Sequence, residues 1–529
     1  MTAAGSGLGT ALLRTCGLIG VLLIGVLAAV ASDTRLGPKA YAAVGGVAVV
    51  VWAVVSQRER LTLLFFLLVM FVEEFLPGLV VEDRTDRQLT VLYGLSFLRI
   101  PGVYPVDVLL GGLLALAIYR ASVARRALPL LGDSSFLPLA LTAGWIAIAA
   151  GISMFVFPDT TTPEAYNIDE VDIGLTKRIA LLVPYMQFKN WMYVYLAYAL
   201  SRIYLRDGLE MRHLLRATAL ASVATLTIAG YRFVVYRVMQ GARGSLIYDD
   251  ASLFVLTLTT GFILLAWGRN MYSRKTMFWQ GLIVGGAAGV IALSSRRGTT
   301  LSFALCIMMV FLFLPNRYKA RALLLAAFGA ALFLLFGGGS SGVSTGVALD
   351  ELNRDRSAVY RLALIHNILR GDNFTLLGYG VKPLWNLPLV MGSFHFNYEN
   401  VHNLYYWFIL RTGIVGLVLI LYFFYRSLRA CWNLRKQAST PWCATLAETL
   451  FIGFLLFMFL GWFHPLYGMA RFAILLGAMS GTLMAAVAIN RDMLRRSGLV
   501  PVKPLRAESS GALEVTSNVA LSTRIDPNQ

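Results

Sequence analysis

Apolar residues run along this chain in stretches of about 20, each long enough to cross about 30 Å of hydrocarbon, with short polar turns between them. The pattern predicts membrane-spanning helices at 11–31, 40–56, 61–80, 103–119, 136–157, 181–204, 214–236, 251–268, 277–294, 299–315, 322–337, 404–425, 444–462 and 471–490. The expected fold class is therefore all-α, a polytopic transmembrane helix bundle of about 14 spans. Most connections are short, but two on the same side are longer, at 158–179 and 338–401. The second, about 65 residues between the spans near 322–337 and 404–425, is a large extracytoplasmic loop with room for a non-spanning subdomain.

Inside that loop, Gly337 to Gly342 forms a flexible lead-in. Asp355 to Leu369 then reads as an amphipathic helix at the membrane surface, with Ala358, Leu362, Ile365 and Leu369 on one stripe. Leu377-Gly378-Tyr379-Gly380 breaks it with a tight turn, and Pro383 and Pro388 keep the next stretch irregular. The loop closes on Glu399-Asn400-Val401-His402-Asn403-Leu404, a polar segment that opens directly into the next apolar run. Beyond Ser497 the chain is polar and aperiodic, as expected of a disordered cytoplasmic tail.

Composition agrees with the pattern: 57% hydrophobic and 14% charged residues, with a mean hydropathy of +0.67. The net charge of +18 by itself suggests nucleic acid, but its distribution does not. Basic clusters recur at alternate connections, among them Arg202/Arg206/Arg212/Arg216, Arg269/Arg274/Lys275, Arg426/Arg429/Arg435/Lys436 and Arg491/Arg495/Arg496. Acidic residues gather at the others, as in Glu82/Asp83/Asp86 and Asp350/Glu351/Asp355. The positive-inside rule places the basic set and both termini in the cytoplasm, so the charge is a topology signal. Cys16 and Cys306 fall within spans, while Cys431 and Cys443 flank an inner loop, giving neither a disulfide framework nor a zinc spacing. Ala29-Val30-Ala31 has the look of a signal-peptidase site, although first spans of polytopic proteins share it.

Candidate chemistry clusters on the outer side. A neutral imidazole at His402 can take or orient a hydroxyl proton near neutral pH; the plainer alternative is an interfacial histidine that caps the span. If the span begins at His402, Tyr406 lies one turn later on the same face. Arg356 and Arg361, with Arg354 before them, offer bidentate, permanently charged groups for phosphate. Arg356 and Arg361 are five residues apart and point to different sides of a helix, so Arg354 and Arg361 also fit a solvated or headgroup-facing role. Ser294-Ser295-Arg296-Arg297-Gly298 puts a charge pair on a very short outer turn, where positive charge is unexpected except against anionic lipid. Glu73 and Glu74 lie near the outer end of a span, where a pairing with an outer arginine is as good a reading as a ligand site. Asp249 and Asp250 read as loop charges, and Lys177, Lys189 and the run Tyr185 to Tyr204 as interface belt and bundle packing. No P-loop, dinucleotide fingerprint or metal site is indicated.

Three of these pieces, in order, resemble the bacterial O-antigen ligase and Wzy-type O-antigen polymerase superfamily. Ser295-Arg296-Arg297-Gly298 resembles its Ser-Arg-Gly turn. Arg356 to Tyr360 followed by Leu377-Gly378-Tyr379-Gly380 resembles its loop signature, with Tyr360 where the family usually has tryptophan. His402-Asn403-Leu404 with Gly413 and Gly416 resembles its His-Asn lead into the next span and the Gly-x-x-Gly beyond. The resemblance covers roughly residues 280–425. It divides the chain into an amino-terminal bundle (1–280), a ligase-like core (281–425, with the outer loop 338–402), final spans (426–490) and a tail (491–529).

What the resemblance implies is a metal-independent, inverting glycan transfer at the outer face of a bacterial inner membrane, without a cofactor. The donor would be a glycan on undecaprenyl diphosphate, and the acceptor a second glycan (polymerase) or lipid A core (ligase). A chain-length regulator and membrane lipids complete the implied partners, and nucleic acid has no place. His402 would activate the acceptor hydroxyl. Arg296, Arg297, Arg356 and Arg361 would be the diphosphate-binding candidates, Arg297 favoured over Arg296 because it directly precedes Gly298. Glu399, Asn403, Tyr360 and Tyr406 would be accessory. A different class, a lipid-linked oligosaccharide flippase, also has many spans, but it would line a central cavity with its charges. Labelling of a cysteine at position 402 only from inside would favour transport.

Overall fold

The computed structural model of the protein describes residues 105–123, 136–155, 173–239, 247, 250–293, 297–314, 319, 376–378, 380, 389–391, 394–396, 403–463, 466 and 470–497. The spans expected at 11–31, 40–56, 61–80 and 322–337, the pair Glu73/Glu74, the amphipathic segment 355–369 and the tail after Ser497 lie outside these residues.

The described chain runs through α1 (Pro105–Val123), α2 (Phe136–Phe155), α3 (Ile173–Tyr204) and α4 (Gly208–Arg232), which ends in a π-helical turn, Phe233–Met239. It continues through α5 (Asp250–Gly268), α6 (Arg274–Leu293) and α7 (Arg297–Phe313). After a short hairpin of β1 (Leu389–Met391) and β2 (Phe394–Phe396) come α8 (Leu404–Lys436), α9 (Pro441–Leu460) and α10 (Ala470–Arg496). Among the described residues, 6 helices are long and apolar enough to cross a membrane: Glu210–Arg232, Asp250–Gly268, Lys275–Leu293, Leu404–Lys436, Pro441–Leu460 and Arg471–Arg496. Shorter apolar helices at Leu110–Val123, Leu137–Ile152 and Gly298–Phe313 fall on further expected spans.

Several boundaries differ from the expectation: α8 runs on to Lys436, past the expected 425, and α4 and α10 extend six residues further at their basic ends, starting at Gly208 and ending at Arg496. The connection read as 158–179 ends earlier, because α3 already begins at Ile173. The polar residues before the apolar run are carried within the helix, since Lys177 and Arg178 are good helix formers. The segment after Pro388, expected to be irregular, holds the antiparallel strands β1 and β2, with Val390 opposite His395. Both prolines precede β1, so neither removes a donor from the ladder.

Helix starts follow from capping side chains. Asp207 caps α4 by accepting from the Glu210 backbone at 2.9 Å, while the Glu210 carboxylate accepts from the Arg206 backbone at 2.6 Å. Thr440 caps α9 ahead of Pro441, accepting from the Cys443 backbone at 3.2 Å.

The most extensive packing is between α3 and α10. Gly477 and Gly481 lie directly on the Val194 and Tyr198 carbonyls, a small-xxx-small contact in which any side chain would collide with backbone. Because both numbers rise together, the two helices run parallel. α5 is the central helix, with almost every residue buried. Its Phe254 meets Phe457 of α9 at 6.3 Å and Phe472 of α10 at 5.9 Å, and Phe424 of α8 meets Phe457 at 5.9 Å. This aromatic hub ties four helices together.

The ends that carry the basic clusters gather at one end of the bundle. There the fully buried Glu448 of α9 accepts from Arg269 Nη2, just past α5, at 2.7 Å and from Arg435 Nε of α8 at 2.7 Å. Arg269 also donates to Thr445 Oγ1 at 2.7 Å, and Arg435 lies over the Phe313 ring of α7 at 5.0 Å. Asn490 of α10 accepts from the Ser439 backbone at 2.7 Å and donates to the Gln437 carbonyl at 2.9 Å. One carboxylate thus staples three helices, and one carboxamide ties a fourth to the α8–α9 turn.

Candidate active site

The opposite end of the bundle holds the start of α8, into which the loop segment ending in His402 leads. Helical geometry begins at Leu404, with Asn403 extended (φ −150°, ψ 121°) as the N-cap. Its Oδ1 accepts from the Tyr406 backbone at 2.9 Å, and its Nδ2 donates to the Trp462 carbonyl at 3.4 Å. The Leu404 backbone donates to the Gly461 carbonyl at 2.7 Å, and the Tyr405 hydroxyl to the Met458 carbonyl at 2.7 Å. The start of α8 is therefore fastened to the far end of α9 by three hydrogen bonds. Asn403 thus fixes the backbone at the start of α8.

Ten residues further, α8 breaks its own ladder. Gly413 is left-handed (φ 70°, ψ −171°), a conformation that favours glycine. A break inside a membrane helix exposes peptide groups that hydrocarbon cannot satisfy, so protein must. The Arg411 carbonyl accepts from the Gly380 backbone at 3.0 Å, and the Val415 backbone donates to the Leu376 carbonyl at 3.5 Å. The Thr412 carbonyl accepts from Trp145 Nε1 of α2 at 2.8 Å. The segment Leu376 to Gly380 is thus sewn onto the break as a substitute for the missing helical turn. Gly378, also left-handed (φ 73°), sits so close that a Cβ there would lie 2.6 Å from the Arg411 carbonyl oxygen. At Gly413 a Cβ would collide with the Leu376 carbonyl.

Four cations are buried in this half of the bundle: Arg411 (3% exposed), Lys189 (5%), Arg471 (8%) and Arg232 at the far end of α4 (8%). Trp191 of α3 meets Phe408 of α8 edge-on at 5.3 Å, one turn before Arg411. The register set by Gly477 against Val194 brings Arg471 of α10 beside Phe188 and Lys189 of α3. Each of the four is engaged within the fold. Lys189, read from the sequence as belt or packing, is packing: it lies over the Tyr193 ring at 5.6 Å. Arg411 and Arg471 do not stand out in the sequence pattern. The available signal is a cation inside or at the edge of an apolar run, which in a membrane marks a functional or paired group.

Of the expected site residues, His402, Arg296, Arg356, Arg361, Glu399 and Tyr360 lie outside the described residues. Arg297 is the first residue of α7. Asp250, expected to be a loop charge, is instead buried at the start of α5, where its Oδ1 accepts from Thr299 Oγ1 of α7 at 3.3 Å. That bond sets the start of α7, and so the Arg297 backbone, against α5. Tyr406 is fully buried in the core. With α8 starting at Leu404, the helical spacing that would have placed His402 and Tyr406 on one face does not apply.

No curated protein matches the chain. Residues 282–421 match the family model described as O-antigen ligase. The match opens within α6, takes in α7, the Leu376–Gly380 segment and the start of α8, and closes beyond the Gly413 break. The chain therefore carries a stretch similar to the O-antigen ligase family, within a protein that has several membrane-length helices.

Proposed function

We propose that the protein transfers glycan from an undecaprenyl-diphosphate-linked donor to an acceptor hydroxyl at the outer face of a bacterial inner membrane, as a polysaccharide polymerase or ligase. The observation that carries this reading is the stitching of Leu376–Gly380 onto the break in α8, inside the stretch that matches the ligase family. It anchors the chain on both sides of His402, upstream through the loop and downstream through the Asn403 cap.

In the proposed reaction the acceptor oxygen attacks the anomeric carbon from the face opposite the diphosphate. The new C–O bond forms as the bond to the diphosphate breaks, and the configuration inverts. His402 takes the hydroxyl proton. The leaving diphosphate keeps the bonding electron pair, and its growing charge is met by Arg297 and Arg356, with Arg296 and Arg361 as further candidates. No metal is invoked in these roles, and both termini are assigned to the cytoplasm from the charge pattern.

The test is the glycan profile of a deletion strain complemented with wild type or with His402→Ala, read on the cell surface and on the lipid carrier. Single repeat units accumulating without long chains identify a polymerase; long chains held on the carrier above a bare surface identify a ligase. Full rescue by His402→Ala would remove the histidine from the chemistry, and an unchanged deletion profile would overturn glycan transfer itself.

A further inference from the structure

At the basic end, away from the proposed transfer site, a cavity of about 860 Å³ opens among α4, α5, α6, α9 and α10. Its mouth is formed by Arg212 and Arg216 of α4, Tyr272 and Thr276 near the start of α6, and Trp442 of α9. Its depth is lined by Val255, Leu258, Phe262, Leu475 and Met479. Along α5 the lining runs from Ile263 to Val255, about 12 Å at 1.5 Å per residue, and it continues past the helix end at Met271 and Tyr272. The hydrocarbon part of one leaflet is about 15 Å thick.

The polar groups along the slot are mostly committed elsewhere. Thr259 donates to the Val255 carbonyl at 2.9 Å, and Thr449 to the Thr445 carbonyl at 2.9 Å. Gln280 accepts from Trp267 Nε1 at 2.6 Å. Burial raises the Tyr272 phenol above its ordinary pKa, against a hydrogen bond with Gln280 that lowers it, so the ring adds no negative charge at neutral pH. Arg212 and Arg216 stand one turn apart on α4, both exposed. Among the described residues no carboxylate bonds either, since Glu210 faces the Arg206 backbone. A slot with apolar walls along α5 and two unanswered cations at its basic mouth has the shape and charge of an anionic amphiphile.

We infer that this cavity binds an anionic phospholipid of the leaflet at the basic end, its phosphate between Arg212 and Arg216 and one acyl chain along α5. Basic pockets between spans on that side are where acidic headgroups gather. The inference does not rest on glycan transfer, and a His402→Ala protein binds the lipid as wild type does.

The experiment measures apparent unfolding temperature and bound lipid, by native mass spectrometry, for the full chain in detergent. Phosphatidylglycerol is compared with phosphatidylcholine of the same chains and with inorganic phosphate. Phosphatidylglycerol is expected to bind and stabilise selectively. Arg212→Gln/Arg216→Gln should weaken that binding by about 30-fold, while Arg212→Lys/Arg216→Lys keeps most of it. Ala219→Phe, which leaves both charges and fills the slot beside Ala219, should abolish it. Equal response to both lipids, an equal effect of inorganic phosphate, or selective binding that survives Ala219→Phe would each overturn the inference. The lysine pair and Ala219→Phe decide the matter even if the glutamine pair fails to fold.

Discussion

The two ends of this bundle both place polar groups where a membrane protein can least accommodate them, and they do so in different ways. At the basic end the groups are charged side chains, and one buried carboxylate, Glu448, answers two arginines from two other helices. At the opposite end they are peptide groups, freed by the break at Gly413 and answered by a docked loop and a tryptophan. Ion pairing tolerates small shifts, because Coulomb attraction falls off slowly with distance. Peptide stitching does not, because it needs backbone in contact with backbone. The first is suited to holding helices together, the second to holding a loop in one place, and only the second adjoins the residues proposed to carry out transfer.

The largest effect expected is from a side chain at the stitch. Gly413→Val forces a left-handed conformation that costs about 1–2 kcal/mol for an L-residue and drives a Cβ into the Leu376 carbonyl, so the total should exceed about 4 kcal/mol. Glycan transfer in complemented cells should be lost, and the apparent unfolding temperature should fall. Gly378→Ala should behave alike, and the double variant should cost clearly less than the sum, because the first change already detaches the loop. Strict additivity would mean that the two glycines do not act through one contact.

Next comes the staple. Glu448→Ala leaves two arginine heads without their carboxylate. A fully buried pair would lose about 3–5 kcal/mol, but the arginines are 20% and 33% exposed, so about 2–3 kcal/mol is expected after solvent screening. Glu448→Gln, which keeps an acceptor, should lose about half of that. The contrast with the stitch lies in the readout: thermal stability falls while transfer per folded molecule stays near wild type. A collapse of transfer at full stability would show that the two ends are coupled.

Much of this architecture is legible in the chain. Apolar run length alone places α4 to α10 to within a few residues in most cases, since 1.5 Å per residue against a 30 Å slab leaves little freedom. Alternating basic clusters foretell which helix ends meet at the arginine staple. The glycines of Leu377-Gly378-Tyr379-Gly380 announce a turn, and Gly378 and Gly380 are both left-handed. What they touch is not legible, because the partner at Gly413 is distant in sequence and a glycine in an apolar run reads as ordinary packing. Nor is the burial of Arg411, Lys189 and Asp250, since burial depends on which helices become neighbours. The Asn403 cap is written in the residue type, and it rules out a helix that starts at His402, because a cap residue stands outside the helix it opens.

The smaller predictions sharpen the stitched end. Trp145→Phe keeps the ring in α2 but leaves the Thr412 carbonyl without its donor, at about 1–2 kcal/mol, and should lower transfer several-fold by loosening the break. Asn403→Ala should cost about 1 kcal/mol of stability, the least of the series, yet it acts on the residue next to the proposed base. The cap fixes where the chain leaves helical geometry, so its loss should lower kcat by about tenfold with KM little changed. Asn403→Ser, which retains a capping oxygen, should recover most of both. If Asn403→Ala loses stability but transfers at the wild-type rate, the cap holds α8 and nothing more, and the backbone after His402 needs no such support.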